Sequence, residues 1–242
     1  TSGATEAIFA RIPGRDPMLA RIKEIESKAA GLTQGATRTA GGRYFFQLRE
    51  PKDNEFKLVW RERVDGPDRL IVDPEALAKA TGKPHAILDF AASPDGKRIA
   101  YAIQVGGSEI GTMHVVDLAS GREVVPPVDR IRYASPIWLP DGSGLFYSRL
   151  RENYESYPVE ERFDDHATHF LALTDPPVDR EVFSALSDRE LDLARYAAGY
   201  IEPIAGSDLA VMHVLLGVER FRLLYVGQLD AAKRGAAAWK PV

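Results

Sequence analysis

Not one of the 242 residues is cysteine. Disulfides and thiolate chemistry are therefore excluded, while cytoplasm and periplasm both stay open as compartments. No apolar run approaches the roughly 18 residues that cross a bilayer, so no membrane partner is expected. An excess of basic charge is missing too: 31 Lys and Arg stand against 35 Asp and Glu, a net charge of −4. A nucleic-acid partner would want a basic surface, so none is expected either. The chain also lacks an initiator methionine and opens on Thr1, which reads as processing or trimming. With 45% apolar and 27% charged residues, it has the composition of a globular protein rather than a disordered one.

Turn signals at a regular rhythm are present in place of these features. Ile87–Ala92, Arg98–Gln104, Thr112–Leu118 and Glu123–Val125 are short extended runs separated by turns such as Ser93-Pro94-Asp95-Gly96. Pro94 presets φ, Asp95 can bond back to the backbone, and Gly96 accepts positive φ. The stretch predicts a four-stranded antiparallel meander, which cannot bury both its faces alone. About 46 residues on, Pro136 to Ser148 repeats the pattern of apolar strand, Pro140-Asp141-Gly142 turn and aromatic-rich strand. Upstream, Gly41 to Gln47 matches the turn and second strand, with Phe56–Arg61 and Arg69–Val72 as third and fourth. Downstream, Ile204 to Val214 restarts the module, and Phe221–Leu229 reads as its third strand. Four strands at periods in the forties predict a β-propeller; a sandwich, the competing all-β architecture, needs no such repeat.

In chain order, Thr1–Arg15 reads as a loose lead-in. Asp16-Pro17 then opens a helix whose Met18, Leu19, Ile22 and Ile25 share one face, expected to pack on the outside or across one end of the first module. Gly31–Gly42 reads as a linker, so residues 1–42 form a lead-in to a partial propeller over 43–242. Its blades fall at about 43–73, 86–125, 133–183 and 196–242. Asp73 caps a helical turn over Pro74–Ala80, and Arg149–His169 is a polar interruption between the second and third strands of the third module. Ser187–Tyr196 fits a short helix or a strand. The last module shows no convincing fourth strand. The expectation is a mainly β fold: an incomplete propeller of three to four four-stranded blades behind an N-terminal helix. Trp138 and Phe146 are expected in the core between sheets. The open face of the last module is expected to carry Val211, Val214, Leu216, Leu223 and Tyr225, and to drive self-association.

Leu70 to Leu77 (with Asp73-Pro74), Phe90 to Tyr101, Gly107-Ser108-Glu109, Ile131-Arg132-Tyr133 and Trp138 to Arg149 occur in an order and at intervals that resemble the propeller of the prolyl oligopeptidase family of serine peptidases. The resemblance runs from about Arg43 to Leu150 and more loosely to Leu229. It implies a seven-bladed propeller capping an α/β-hydrolase domain with a Ser-Asp-His triad and admitting short peptides. The family's N-terminal segment near an Asp-Pro-Tyr is not seen before Arg15. By the same resemblance, Tyr133 would reach toward the bound peptide, and Glu109 would pair across to the peptidase domain. The implied partners are that domain, the remaining blades and, in the parent, short peptides.

A hydrolase nucleophile sits on a Gly-x-Ser-x-Gly elbow. No serine here has glycine both two before and two after it; Ser108 comes nearest, with Gly106 before but Ile110 after. The sequence therefore offers no catalytic residue. His166 and His169 lie three apart, a spacing some metal sites use, but no third ligand follows, so neither metal nor cofactor is expected. His85, His114 and His213 are isolated and read as strand or loop residues. Two functions fit: the substrate-gating propeller part of a prolyl oligopeptidase-like peptidase, itself without the triad, or a stand-alone protein-binding propeller resembling the periplasmic Tol-associated type. Asp73-Pro74 and the preceding helix favour the first.

Overall fold

Four hairpin turns of one kind set the architecture. The computed structural model describes residues 3–28, 31–132, 136–217 and 219–242. Helices α1 (Gly3–Phe9) and α2 (Arg15–Ser27) come first. A first sheet follows, from β1 (Leu32–Arg38), β2 (Tyr44–Arg49), β3 (Lys57–Arg61) and β4 (Arg69–Val72), antiparallel and in sequence order. Helix α3 (Pro74–Thr81) leads into the second blade, β5 (His85–Ala92), β6 (Arg98–Val105), β7 (Ile110–Asp117) and β8 (Arg122–Glu123). Asp73 caps α3 as its spacing predicts, accepting from the Glu75 and Ala76 amides. After the connecting strand β9 (Val128–Arg132), β10 (Ile137–Trp138), β11 (Gly144–Arg149), β12 (Ala167–Ala172) and β13 (Val178–Phe183) form the third blade. The fourth holds β14 (Ala197–Pro203), β15 (Leu209–Leu216), β16 (Arg222–Gln228) and, beyond helix α4 (Leu229–Lys233), β17 (Lys240–Pro241). Among the described residues no sheet joins the fourth blade back to the first, so the array is an open, partial propeller.

In every blade the turn between first and second strands holds a glycine with positive φ: Gly42, Gly96, Gly142 and Gly206. In the second, the Asp95 carboxylate accepts from Ser93 Oγ at 2.7 Å and from the Lys97 amide at 3.0 Å. Asp141 accepts from the Ser143 amide and hydroxyl in the same manner in the third. These turns also join neighbours. Arg43 of the first blade donates to the Gly96 carbonyl of the second at 2.8 Å, and Arg98 of the second donates to Gly142 of the third at 3.3 Å.

The core lies between the sheets. Phe45, Leu58 and Trp60 meet Ile99, Tyr101 and Ile103 across the first gap. On the opposite side of β6, Ala100 and Ala102 leave room for Trp138, Leu145 and Tyr147. Phe146, Phe170 and Phe183 then pack on Ile201, Met212, Val214 and Tyr225. Trp138 and Phe146 are core, as expected.

Several boundaries differ from expectation. The supposed lead-in contains α1, and the supposed linker contains β1, whose seven residues are all exposed and so carry no apolar alternation. Met18, Leu19, Ile22 and Ile25 are all exposed, so the α2 stripe is not seated on the blades. β9 pairs with both β7 and β11 and fuses the second and third sheets. Ser187–Tyr196 holds a single 3-10 turn, Arg189–Leu191. The last blade does have a fourth strand, β17, beside the buried Trp239. Its open face was also misread. Val214 and Tyr225 are buried against the third blade, Leu216 packs there too, and Leu223 pairs with Val214 on that side. Val211 alone of the five points the other way, in a row with Glu202 and Val226. Side chains alternate along a strand, so a one-residue error in parity exchanges the faces.

Candidate functional site

Opposite the glycine turns, the blades end in the β6–β7 hairpin, the β9 segment, the interruption 150–166, the 184–196 connection and the β15–β16 hairpin. The interruption is tied down by arginines. Arg151 donates to Asp165 at 2.8 Å, and Arg195 of the next connection pairs with the same buried carboxylate. The Arg151 guanidinium lies 3.4 Å from the centre of the Tyr157 ring, and that of Arg132 lies 3.5 Å from the Phe163 ring. The interruption is thus tied to its neighbours by charge and stacking.

This folding back creates a cleft of about 690 Å³. Arg132, Phe163 and His166 form one wall; Tyr196, Tyr200 and Leu215 belong to the other, which continues onto the open face of the fourth blade. Glu202 and His213 pair across that wall at 3.5 Å. His166 is only 7% exposed, its Nδ1 lies 3.0 Å from the Phe163 carbonyl, and its buried Nε2 has no hydrogen-bond partner among the described residues. Burial, with the Arg132 charge adding to it, pushes the imidazole below its usual value, so the ring is neutral near pH 7.

Tyr133 lies outside the described residues, directly after Arg132 in the sequence. Glu109 is largely exposed in the β6–β7 hairpin, 3.4 Å from Arg132. Ser108 sits in the same hairpin, its Oγ accepting from the Ile110 amide, with no base beside it in that contact. His166 and His169 do not converge. His166 lines the cleft, whereas His169 meets Asp179 at 3.1 Å and packs on the Tyr147 ring. Among the described residues no group of three or more His, Cys, Asp or Glu is placed to hold a metal ion. His85 contacts the Lys83 carbonyl, and His114 stacks on Tyr101 and meets Glu123 at 2.7 Å. Sequence reasoning missed Arg132, Phe163, His166, Tyr196 and Tyr200 as a set. The available signal was the polar interruption itself, a long loop inside an otherwise regular blade.

The model of the prolyl oligopeptidase N-terminal β-propeller domain matches residues 4–190. The prolyl endopeptidase of Elizabethkingia meningoseptica is 22% identical over 172 residues, 70% of this chain and 23% of that protein. The uncharacterized peptidase y4sO of Sinorhizobium fredii is 27% identical over 123 residues, 50% of this chain and 17% of that one. Among solved structures, one from a study of two prolyl endopeptidases superposes with a TM-score of 0.74 at 24% identity, covering 92% of this chain and 31% of its own. Prolyl oligopeptidase B of Galerina marginata, bound to a 35-residue substrate, gives 0.69 at 15% identity, with 99% and 36% covered. The chain spans about a third or less of each of these proteins. The structural likeness carries the fold and the family model carries the kinship: this chain belongs to the prolyl oligopeptidase family, as its N-terminal β-propeller domain.

Proposed function

We propose that the chain is the substrate-gating propeller part of a serine-type oligopeptidase that hydrolyses short peptides, and that it carries no hydrolytic machinery of its own. The observation that supports this reading above others is the family match over residues 4–190, which spans the N-terminal helices and the first three of the four blades. Membership of that family, rather than the shared Ser-Pro-Asp-Gly turn, weighs against a stand-alone binding propeller. In the parent, acyl transfer would run through a serine nucleophile, a histidine base and an oxyanion hole on an α/β-hydrolase domain. The propeller's task would be selection. Glu109 would contact that domain from the β6–β7 hairpin, and Tyr133 would face the peptide.

Two measurements test this. Incubated with a chromogenic proline peptide and a serine-directed fluorophosphonate, the chain is expected to release no chromophore and take up no label. Stoichiometric labelling of any serine would overturn the reading. Sequencing the source reading frame beyond Val242 is expected to reach a Gly-x-Ser-x-Gly elbow; a stop codon would return the stand-alone propeller. In the parent, Tyr133→Ala is expected to raise KM for longer peptides with little change in melting. If Tyr133 packs between blades, the same change would cost about 3–5 kcal/mol of stability and leave KM alone.

A further inference from the structure

We propose that the second and third blades move as one rigid plate, and that Arg130 is the residue that rivets them. Blades of a propeller are ordinarily separate sheets that meet through side chains. The seam between the first and second blades is of that kind. Phe45 and Trp60 pack on Ile99 and Tyr101 across it. Among the described residues two hydrogen bonds cross it, both at the glycine-turn end. Arg43 donates to the Gly96 carbonyl at 2.8 Å, and the Gly41 amide to the Pro94 carbonyl at 3.3 Å. At the loop end lies α3, where the Glu75 carboxylate accepts from the Asn54 and Glu55 amides, so those bonds run back to the first blade. The seam between the second and third blades is fastened at both ends. At the glycine turns, Arg98 donates to the Gly142 carbonyl and Trp138 to the Ala91 carbonyl. At the loop end β9 pairs with β7 through Ile110, Gly111 and Met113 and reaches β11 at Arg149. Between these partners the backbone passes through Arg130 at a φ of 60°, a left-handed conformation that arginine enters against its own Cβ. What holds it there lies in the third blade. The Arg130 carbonyl accepts from the Leu150 amide at 2.9 Å, and its guanidinium donates to the Leu150 carbonyl at 3.0 Å. Leu150 is buried, and Arg130 serves both of its backbone groups. Arg130 also donates to Asp129, the carboxylate that Arg149 of β11 holds. A strained residue persists where its surroundings over-determine it, and here they join two sheets. Each of the two blades has a sheet on both sides, so the plate does not depend on further blades. On the reading that the propeller gates peptides, any parting between blades is then confined to other seams.

Native-state hydrogen exchange of the chain itself, followed across a series of low denaturant concentrations, tests the plate. The amides of β6, β7, β11 and β12 are expected to exchange through one shared opening with one denaturant dependence, and those of β2 and β3 through another. Arg130→Ala should split the shared opening. The less stable of the two blades should then exchange at least about tenfold faster than the other, the worth of a lost charge-assisted hydrogen bond. Arg130→Gly fits the left-handed backbone and keeps the carbonyl that accepts from Leu150, so it should split the opening less. If Arg130→Ala fails to fold, the unaltered chain and Arg130→Gly still decide. Separate openings for β6–β7 and β11–β12 in the unaltered chain would overturn the plate, and so would β2 and β3 opening together with them. A shared opening that survives both substitutions would overturn the role of Arg130. None of these results bears on the serine-labelling test of the proposed function.

Discussion

Trp138 joins two blades through one side chain. Its ring fills the space left by Ala100 and Ala102, and its indole N–H donates to the Ala91 carbonyl at 2.9 Å. Trp138→Phe keeps most of the packing and strips a partly buried acceptor of its donor, so a loss of about 1–2 kcal/mol is expected in urea melts. A change below the error of those melts would mean that the indole bond contributes nothing. His166 supplies a second prediction at this scale. Its pKa is depressed in the folded chain chiefly by burial; the contact with the Phe163 carbonyl opposes this, the Arg132 charge adds to it, and Asp164 and Asp165 act weakly the other way. The unfolded chain therefore takes up a proton at about pH 6.5 while the folded chain does not. Stability should be flat above that pH and fall below it by up to about 1.4 kcal/mol per unit until the folded group titrates. The difference between the unaltered chain and His166→Phe, melted at pH 7.5 and 5.5, isolates this share from the other histidines. Equal losses in the two proteins would refute it. Trp138 was legible in the sequence because an apolar strand beside a Pro-Asp-Gly turn has only the neighbouring sheet to face. His166 was not legible, because its surroundings come from a loop folding back through arginine contacts that leave no periodic trace.

At the scale of elements, visibility in the sequence followed burial. The second blade could be read almost residue for residue, since β6 and β7 alternate between two packed sheets and their turns use Pro, Asp and Gly where φ demands them. β1 could not, because an exposed edge strand of Thr, Gln and Gly has no core to declare itself against. β17 is too short to show a pattern; its existence depends on β16 offering a partner. β9 was hidden for another reason: it is recruited by two sheets at once. Arg149 secures that junction, reaching Asp129 on β9 and, at 3.3 Å, Asp179 on β13. The Arg149 contact dominates in holding Asp129 below the usual carboxylate range. Burial would raise Asp179, but the contacts with His169 and Tyr147 bring it lower as well, the Arg149 charge adding a smaller share. Both depressed groups contribute stability that is present above about pH 4 and lost as pH falls through their folded values. Arg149→Met is expected to cost about 1–2 kcal/mol at neutral pH, since the carboxylates are partly solvated. It should also shrink the acid-limb loss below pH 4. An unchanged acid limb would mean that the lowered values arise elsewhere.

For the molecule as a whole, the repeat made the open array legible and the strand parity made its free face misread. The uncovered side of the fourth blade carries Tyr200, His213 and Leu224 in one row, with Glu202, Val211 and Val226 in the next. Leu224 is 39% exposed, and Leu215 and Arg222 extend the patch. Glu202 stands on β14 at one corner and Arg222 on β16 at the opposite one. A two-fold axis between facing copies can therefore set each Glu202 against the partner copy's Arg222 around an apolar centre, an arrangement in which one patch meets itself. The 242-residue chain is expected to dimerise through this face. Sedimentation across a concentration series should show a monomer–dimer equilibrium. Glu202→Arg and Arg222→Glu should each weaken it, and the double variant should restore it, because only the paired reversal recovers opposite charges across the axis. Leu224→Asp should abolish association without rescue. A chain that stays monomeric to millimolar concentration would refute the dimer. Association indifferent to both charge reversals would place it on another surface, such as the exposed Met18, Leu19, Ile22 and Ile25 stripe of α2.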